Sequence, residues 1–93
     1  MERRTVVFSG HVQGVGFRFT TNRIAAGFQV TGYVRNLSNG TVELVAEGQI
    51  EELDAFLAEV NHRMEGFVRD TKVDSTNIES PRFKEFTIST QIG

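Results

Sequence analysis

The chain has no cysteine, which excludes disulfide staples, zinc–thiolate centres and phosphatases built on a cysteine nucleophile. It also favours a reducing, cytoplasmic setting. No apolar run approaches the roughly 18 residues needed to cross a bilayer. Met1 to Thr5 lead straight into a strand-like segment, without the apolar stretch of a signal peptide, so no membrane association is expected. Basic charge is not in excess: ten basic and twelve acidic residues leave a net charge of −2, and the pI is near 5.6. Nucleic-acid binders show a basic stripe and a high pI, so no nucleic-acid partner is expected. Any bound anion has to be held by local geometry rather than by an overall field. Repeats, linkers and low-complexity segments are missing too, and no residues stand at metal-ligand spacing.

What is present suits a single domain over residues 1–93, expected to act as a monomer. A chain of 93 residues buries only roughly 60–65% of the surface it exposes when unfolded. Hydrophobic residues make up 39% of it, eight of them Phe, enough for one sheet under one layer of helices. Residues 5–12 are β-branched and aromatic and predict a strand, with Val6, Phe8 and Val12 pointing at the core. Phe17, Thr21, Ile24 and Phe28 predict a helix over 17–28, with Gly27 near its end. A strand over 30–36 is followed by Leu37-Ser38-Asn39-Gly40, whose Asn-Gly pair signals a hairpin. Its partner strand runs from Thr41 to Glu47, with Val42, Leu44 and Ala46 facing in and Glu43 and Glu47 facing out. Ile50, Leu53, Leu57, Val60 and Met64 mark a helix over 49–64, with Glu51 and Glu52 at its positive end. Two weaker strands, 69–78 and 83–90, flank Glu79-Ser80-Pro81. The order βαββαβ, with a short extra C-terminal strand, predicts an α+β fold. It is a ferredoxin-like sandwich: a mostly antiparallel sheet with two helices on one face.

The segment Gly10-His11-Val12-Gln13-Gly14-Val15-Gly16-Phe17-Arg18 joins a strand end to a helix start. Glycines there let successive N–H groups turn into one concavity, and the helix N-terminus adds its own. Arg18 offers a planar fork for two phosphate oxygens. A Walker A loop would need Gly-Lys-Ser/Thr, and a dinucleotide loop a third glycine where Phe19 stands. On these residues alone, a glycine-rich turn with a solvated arginine fits equally well.

That segment resembles the first signature of the acylphosphatase family. The run Gly32-Tyr33-Val34-Arg35-Asn36, continuing through Gly40, Val42 and Gly48, resembles the second. Beyond Met64 the likeness is weak: the family's Gly-Pro pair is absent and Glu65-Gly66-Phe67 stands there. The resemblance implies a metal-independent hydrolase, without cofactor, that splits small acyl phosphates into carboxylate and inorganic phosphate. It implies that Arg18 binds the phosphate, that the amides of Gln13, Gly14, Val15, Gly16 and Phe17 cradle it, and that Asn36 orients the attacking water. Without that resemblance, Asn36 would read as a turn-stabilising residue at a strand end.

The remaining polar candidates carry less. His11 reads as a strand-end histidine and His62 stands alone on its helix. Ser9 lacks a nucleophile elbow. Arg35 and Arg23 read as solvated surface residues, and the phenylalanines as core. Two other functions share the pattern: a non-catalytic phosphate-binding module, like the domain that opens the hydrogenase maturation proteins, and an RNA-recognition domain with the same element order. The latter needs stacking aromatics on the open sheet face, where strand three instead offers Glu43, Val45 and Glu47.

Overall fold

Alternating apolar residues and one hairpin turn organise the sheet. In the computed structural model, which describes residues 1–93, the elements are β1 Glu2–Gly10, α1 Phe17–Ala25, β2 Val30–Asn36, β3 Val42–Gly48, α2 Ile50–Met64, β4 Val68–Asn77 and β5 Phe86–Ile88. They form a five-stranded sheet in the order β4-β1-β3-β2-β5. All pairings are antiparallel except β2 with β5, which is parallel. The ferredoxin-like α+β architecture is therefore present, with the extra strand on the β2 edge. No helix is long and apolar enough to cross a membrane.

The helices cover one sheet face because the apolar residues of both layers meet there. Val6 and Phe8 of β1, Val34 of β2 and Val42, Leu44 and Ala46 of β3 are buried against Phe17 and Ile24 of α1 and Leu53, Phe56 and Val60 of α2. At about 25 cal/mol per Å² of apolar area, such a cluster is the main force holding sheet and helices together. Phe8 and Phe17 touch with ring centroids 4.9 Å apart, which fixes the start of α1 against β1.

Four expectations are revised. β1 ends at Gly10, where its pairing with β4 shifts register, rather than running on to Val12. Val12 is still buried, now as a loop residue. The first helix stops at Ala25, because Gly27 and Phe28 donate to the carbonyls of Ile24 and Ala25 in a tighter turn. Phe28 keeps its packing partner, lying 6.0 Å from the ring of Phe56. The last strand is only Phe86–Ile88, the length that pairs with β2.

The fourth revision concerns Glu47, which parity places outward and which the structure buries. Its carboxylate takes Arg3 Nε at 2.7 Å, the Arg82 N–H at 2.6 Å and the Phe83 N–H at 3.3 Å. Arg3 stands directly opposite it in the β1–β3 register. The cause lies in the connection between β4 and β5. Those strands occupy opposite edges of the sheet, about 19 Å apart at the usual strand spacing. The eight residues 78–85 must cross that gap, and fully extended they reach only about 26–29 Å. The crossing lies over the face without helices, where Phe83 meets Tyr33 edge-on at 5.6 Å. Glu47 pins it there.

Candidate active site

The loop between β1 and α1 is bent by residues that lie outside the right-handed regions. Gly14 and Gly16 have φ values of 79° and 76°, a left-handed conformation that costs other residues roughly 1–2 kcal/mol. Buried Val12 and Phe17 hold the two ends of the bend. Between them the main-chain N–H groups of Val12 to Gly16 donate to no protein acceptor. The first bond of the helix runs from Thr20 N–H to the Gly16 carbonyl at 2.9 Å, so Phe17, Arg18 and Phe19 add the unpaired amides of a helix start. No side chain caps this end and no acidic residue lies in its first turn. The partial positive charge of the helix terminus is therefore uncompensated by protein groups.

Arg18 is half-buried at the second position of α1. Its Nη1 makes one long contact, 3.5 Å, to the Ser89 carbonyl, and no carboxylate lies within ion-pair distance of it. Ser89 is itself fixed, since its N–H donates to the Val34 carbonyl at 2.9 Å.

Asn36 is the last residue of β2 and pairs with Val42 of β3. It shares parity with buried Val30 and Val34, so it belongs to the face that carries the helices. Its carbonyl accepts the Gly93 N–H at 3.1 Å, and its side chain makes no protein hydrogen bond. β1 and β2 are not neighbours, because β3 lies between them. The loop nonetheless meets the end of β2: Gln13 Nε2 donates to the Leu37 carbonyl at 2.9 Å and to the Thr41 carbonyl at 2.8 Å. The structure thus assembles the sequence-predicted loop residues, with Arg18 on the helix that the loop opens, beside the hairpin that begins after Asn36.

The other candidates lie apart from this assembly or have other work. His11 is exposed, and its N–H is tied to the Phe67 carbonyl at 2.9 Å. Ser9 Oγ donates to the Asp70 carbonyl across to β4. Arg35, expected to be solvated, instead pairs with Glu43 at 2.7 Å on the opposite sheet face. Arg23 lies over the exposed ring of Phe19, 5.7 Å from its centroid. No group of three or more His, Asp or Glu side chains is arranged to hold a metal ion. A surface groove of about 470 Å³ between α1 and α2 shares no residue with the loop or with Asn36. Two features escaped sequence reasoning: the side-chain role of Gln13 and the Ser89 carbonyl beside Arg18. Both depend on contacts between residues distant in sequence, and neither leaves a local pattern.

Fold and loop together define a ferredoxin-like sandwich with a run of unpaired main-chain amides between β1 and α1. The acylphosphatase family model matches residues 4–88, and so includes the region beyond Met64 where the signatures fade. An acylphosphatase from Methanospirillum hungatei is 39% identical over 88 residues, covering 95% of this chain and 97% of that relative. One from Bacillus licheniformis is 41% identical, covering 90% and 93%. The crystal structure of acylphosphatase from Bacillus subtilis superimposes with a TM-score of 0.84 at 29% identity, over 96% of this chain and 99% of that one. HypF from T. kodakarensis also superimposes, with a TM-score of 0.81 at 26% identity, but this chain covers only 12% of it. The chain belongs to the acylphosphatase family.

Proposed function

We propose that this protein hydrolyses small acyl phosphates to a carboxylate and inorganic phosphate, through attack of water on phosphorus. The amides of Gln13, Gly14, Val15, Gly16 and Phe17 cradle the phosphoryl oxygens, Arg18 takes two of them, and Asn36 holds the water. The observation that carries this reading is the run of unbonded amides from Val12 to Gly16, continued by the start of α1 beside an arginine that no carboxylate neutralises. Family membership supports the reaction class.

The chemistry suits so small a machine. The leaving group is a carboxylate, stable as an anion, so no general acid has to protonate it. Phosphoryl transfer passes through a loose transition state, and the protein's task is to position the reactants and stabilise charge. Amides and a guanidinium supply that charge stabilisation without a metal. A neutral asparagine can bond to water without repelling the phosphate.

The test is hydrolysis of benzoyl phosphate with excess chelator. Arg18→Ala removes the charged fork and lowers turnover by roughly 10³ or more, the scale of transition-state arginines in phosphoryl transfer, and phosphate inhibition weakens with it. Asn36→Ala keeps phosphate inhibition and loses roughly 10²–10³ in kcat, as removal of one positioned polar group does. Saturable phosphate binding without hydrolysis would favour a binding module. An unchanged rate for Asn36→Ala would remove that residue from the mechanism.

A further inference from the structure

Gln13 enters the reading above only through its main-chain N–H, yet its side chain links the loop to the hairpin after β2. Its amino group donates to two carbonyls, those of Leu37 at 2.9 Å and Thr41 at 2.8 Å. Leu37 and Thr41 flank the Asn39-Gly40 turn and bond each other, Leu37 N–H to Thr41 carbonyl, at 2.9 Å. Both amide protons of Gln13 are therefore used, and Thr41 accepts twice. Only the amino end of the side chain can face two carbonyl oxygens, which fixes its orientation. These are also the only two hydrogen bonds that tie residues 12–15 to the rest of the protein.

We infer that Gln13 is a positioning residue, which sets the spacing between the amide cradle of residues 13–17 and Asn36, one residue before Leu37. The inference rests on the proposed roles of the cradle and Asn36. The physical reason is the sheet order. Cradle and Asn36 sit at the ends of strands separated by β3, about 10 Å at the usual strand spacing, and no main-chain ladder links them directly. Glutamine has the length and the two donors that the bridge needs. Glutamate at neutral pH has no donor, and methionine has the length alone.

The experiment measures kcat, KM and phosphate inhibition for benzoyl phosphate in the wild type, Gln13→Met, Gln13→Glu, Asn36→Ala and the double variant Gln13→Met/Asn36→Ala, each below its melting temperature. Gln13→Met should lower kcat by roughly 10–100-fold, the scale of an ångström-sized misplacement, with phosphate inhibition changed by less than about threefold, because cradle and Arg18 are local to each other. Adding Asn36→Ala should then cost far less than it does in the wild type, since coupled residues are non-additive. In Gln13→Glu, kcat relative to wild type should recover as pH falls through the carboxyl range, near 4.3 for a free side chain, because the protonated acid regains a donor. This pH signature also carries the test if Gln13→Met fails to fold. A folded Gln13→Met with kcat within twofold of wild type, or effects of the two sites that simply multiply, overturns the inference. If the wild type hydrolyses nothing, the functional reading fails separately. The bridge is then judged by NMR: phosphate should shift the amides of Leu37 and Thr41 in the wild type but not in Gln13→Met, and equal shifts in both overturn it.

Discussion

Glu47→Gln changes one charge at nearly constant shape, so it isolates what the buried carboxylate contributes. One carboxylate oxygen takes the N–H groups of Arg82 and Phe83, and the other takes Arg3 Nε. A glutamine can keep the first two bonds through its carbonyl oxygen. Its amino group then faces Arg3 Nε–H, donor against donor. One charge-assisted bond is lost outright, worth about 1.5–3 kcal/mol, and the other two lose their charge. Breaking a fully buried ion pair costs about 3–5 kcal/mol. Here the Glu47 side chain is fully buried but that of Arg3 is 22% exposed and can turn to water, which keeps the loss near the lower figure. A destabilisation of about 2–3 kcal/mol corresponds to a fall in Tm of roughly 10–20 °C for a domain of this size.

Acid should erase the difference. Burial pushes the Glu47 carboxyl up, but the Arg82 N–H, the Arg3 guanidinium and the Phe83 N–H outweigh it and hold the group below the usual carboxylate range. A carboxyl depressed in the folded state contributes full stability above its unfolded pKa, about 4.3. That contribution disappears as pH falls through the folded value. Urea unfolding followed by circular dichroism should therefore show a wide gap between wild type and variant at pH 7, closing well below pH 4. A gap under about 0.5 kcal/mol at pH 7, the range of ordinary surface substitutions, would refute the reasoning. So would a gap that persists undiminished in acid.

Gly32→Ala should cost more than about 3 kcal/mol in the same assay, since φ at this position is 145° and a Cβ would fall on the Val45 carbonyl. A loss below 1 kcal/mol would mean that β2 and β3 can separate locally at little cost. Arg18→Lys keeps the charge and loses the two-pronged geometry, so kcat/KM for benzoyl phosphate should fall by roughly 10²-fold; full activity would show that a point charge suffices. In the proposed site Asn36→Asp would set a negative charge beside the phosphate and should depress kcat at pH 7, with partial recovery below about pH 4–5 as the acid is protonated. A flat pH profile relative to wild type would count against the water-holding role.

Much of this molecule was legible from local pattern. β2 emerged at its observed limits because alternation and an Asn-Gly turn act within a few residues, and α2 to within one residue because its stripe of Leu53, Leu57, Val60 and Met64 spans about three turns. The candidate site was legible for a different reason: its glycines and Arg18 lie in one continuous run. Where reading failed, the deciding partner was distant. Glu47 obeys strand parity, and it is buried only because residues 81–83 cross the face it points to. The early end of β1 depends on a register shift against β4, some sixty residues on. Gln13 is legible as a loop amide, but its side-chain role is not, because both acceptors lie on a hairpin 24–28 residues away.

These long-range pieces form one mechanical chain. The crossing that Glu47 pins delivers β5 to the outer edge of β2. Ser89, just beyond β5, is held there by Val34 and presents its carbonyl to Arg18. On the other side of the site Gln13 holds the loop against the hairpin. The proposed binding surface is mostly main chain, so the sequence has to specify a conformation there rather than a set of charges. That is how the proposed anion site is compatible with a chain of net charge −2: its positive potential would come from unpaired N–H groups and one guanidinium close to the ligand, where local charge outweighs more distant, screened charge. On that reading phosphate affinity is set within the loop and Arg18, while the rate depends as well on the contacts that hold the loop against the hairpin, of which the Gln13 side chain supplies two.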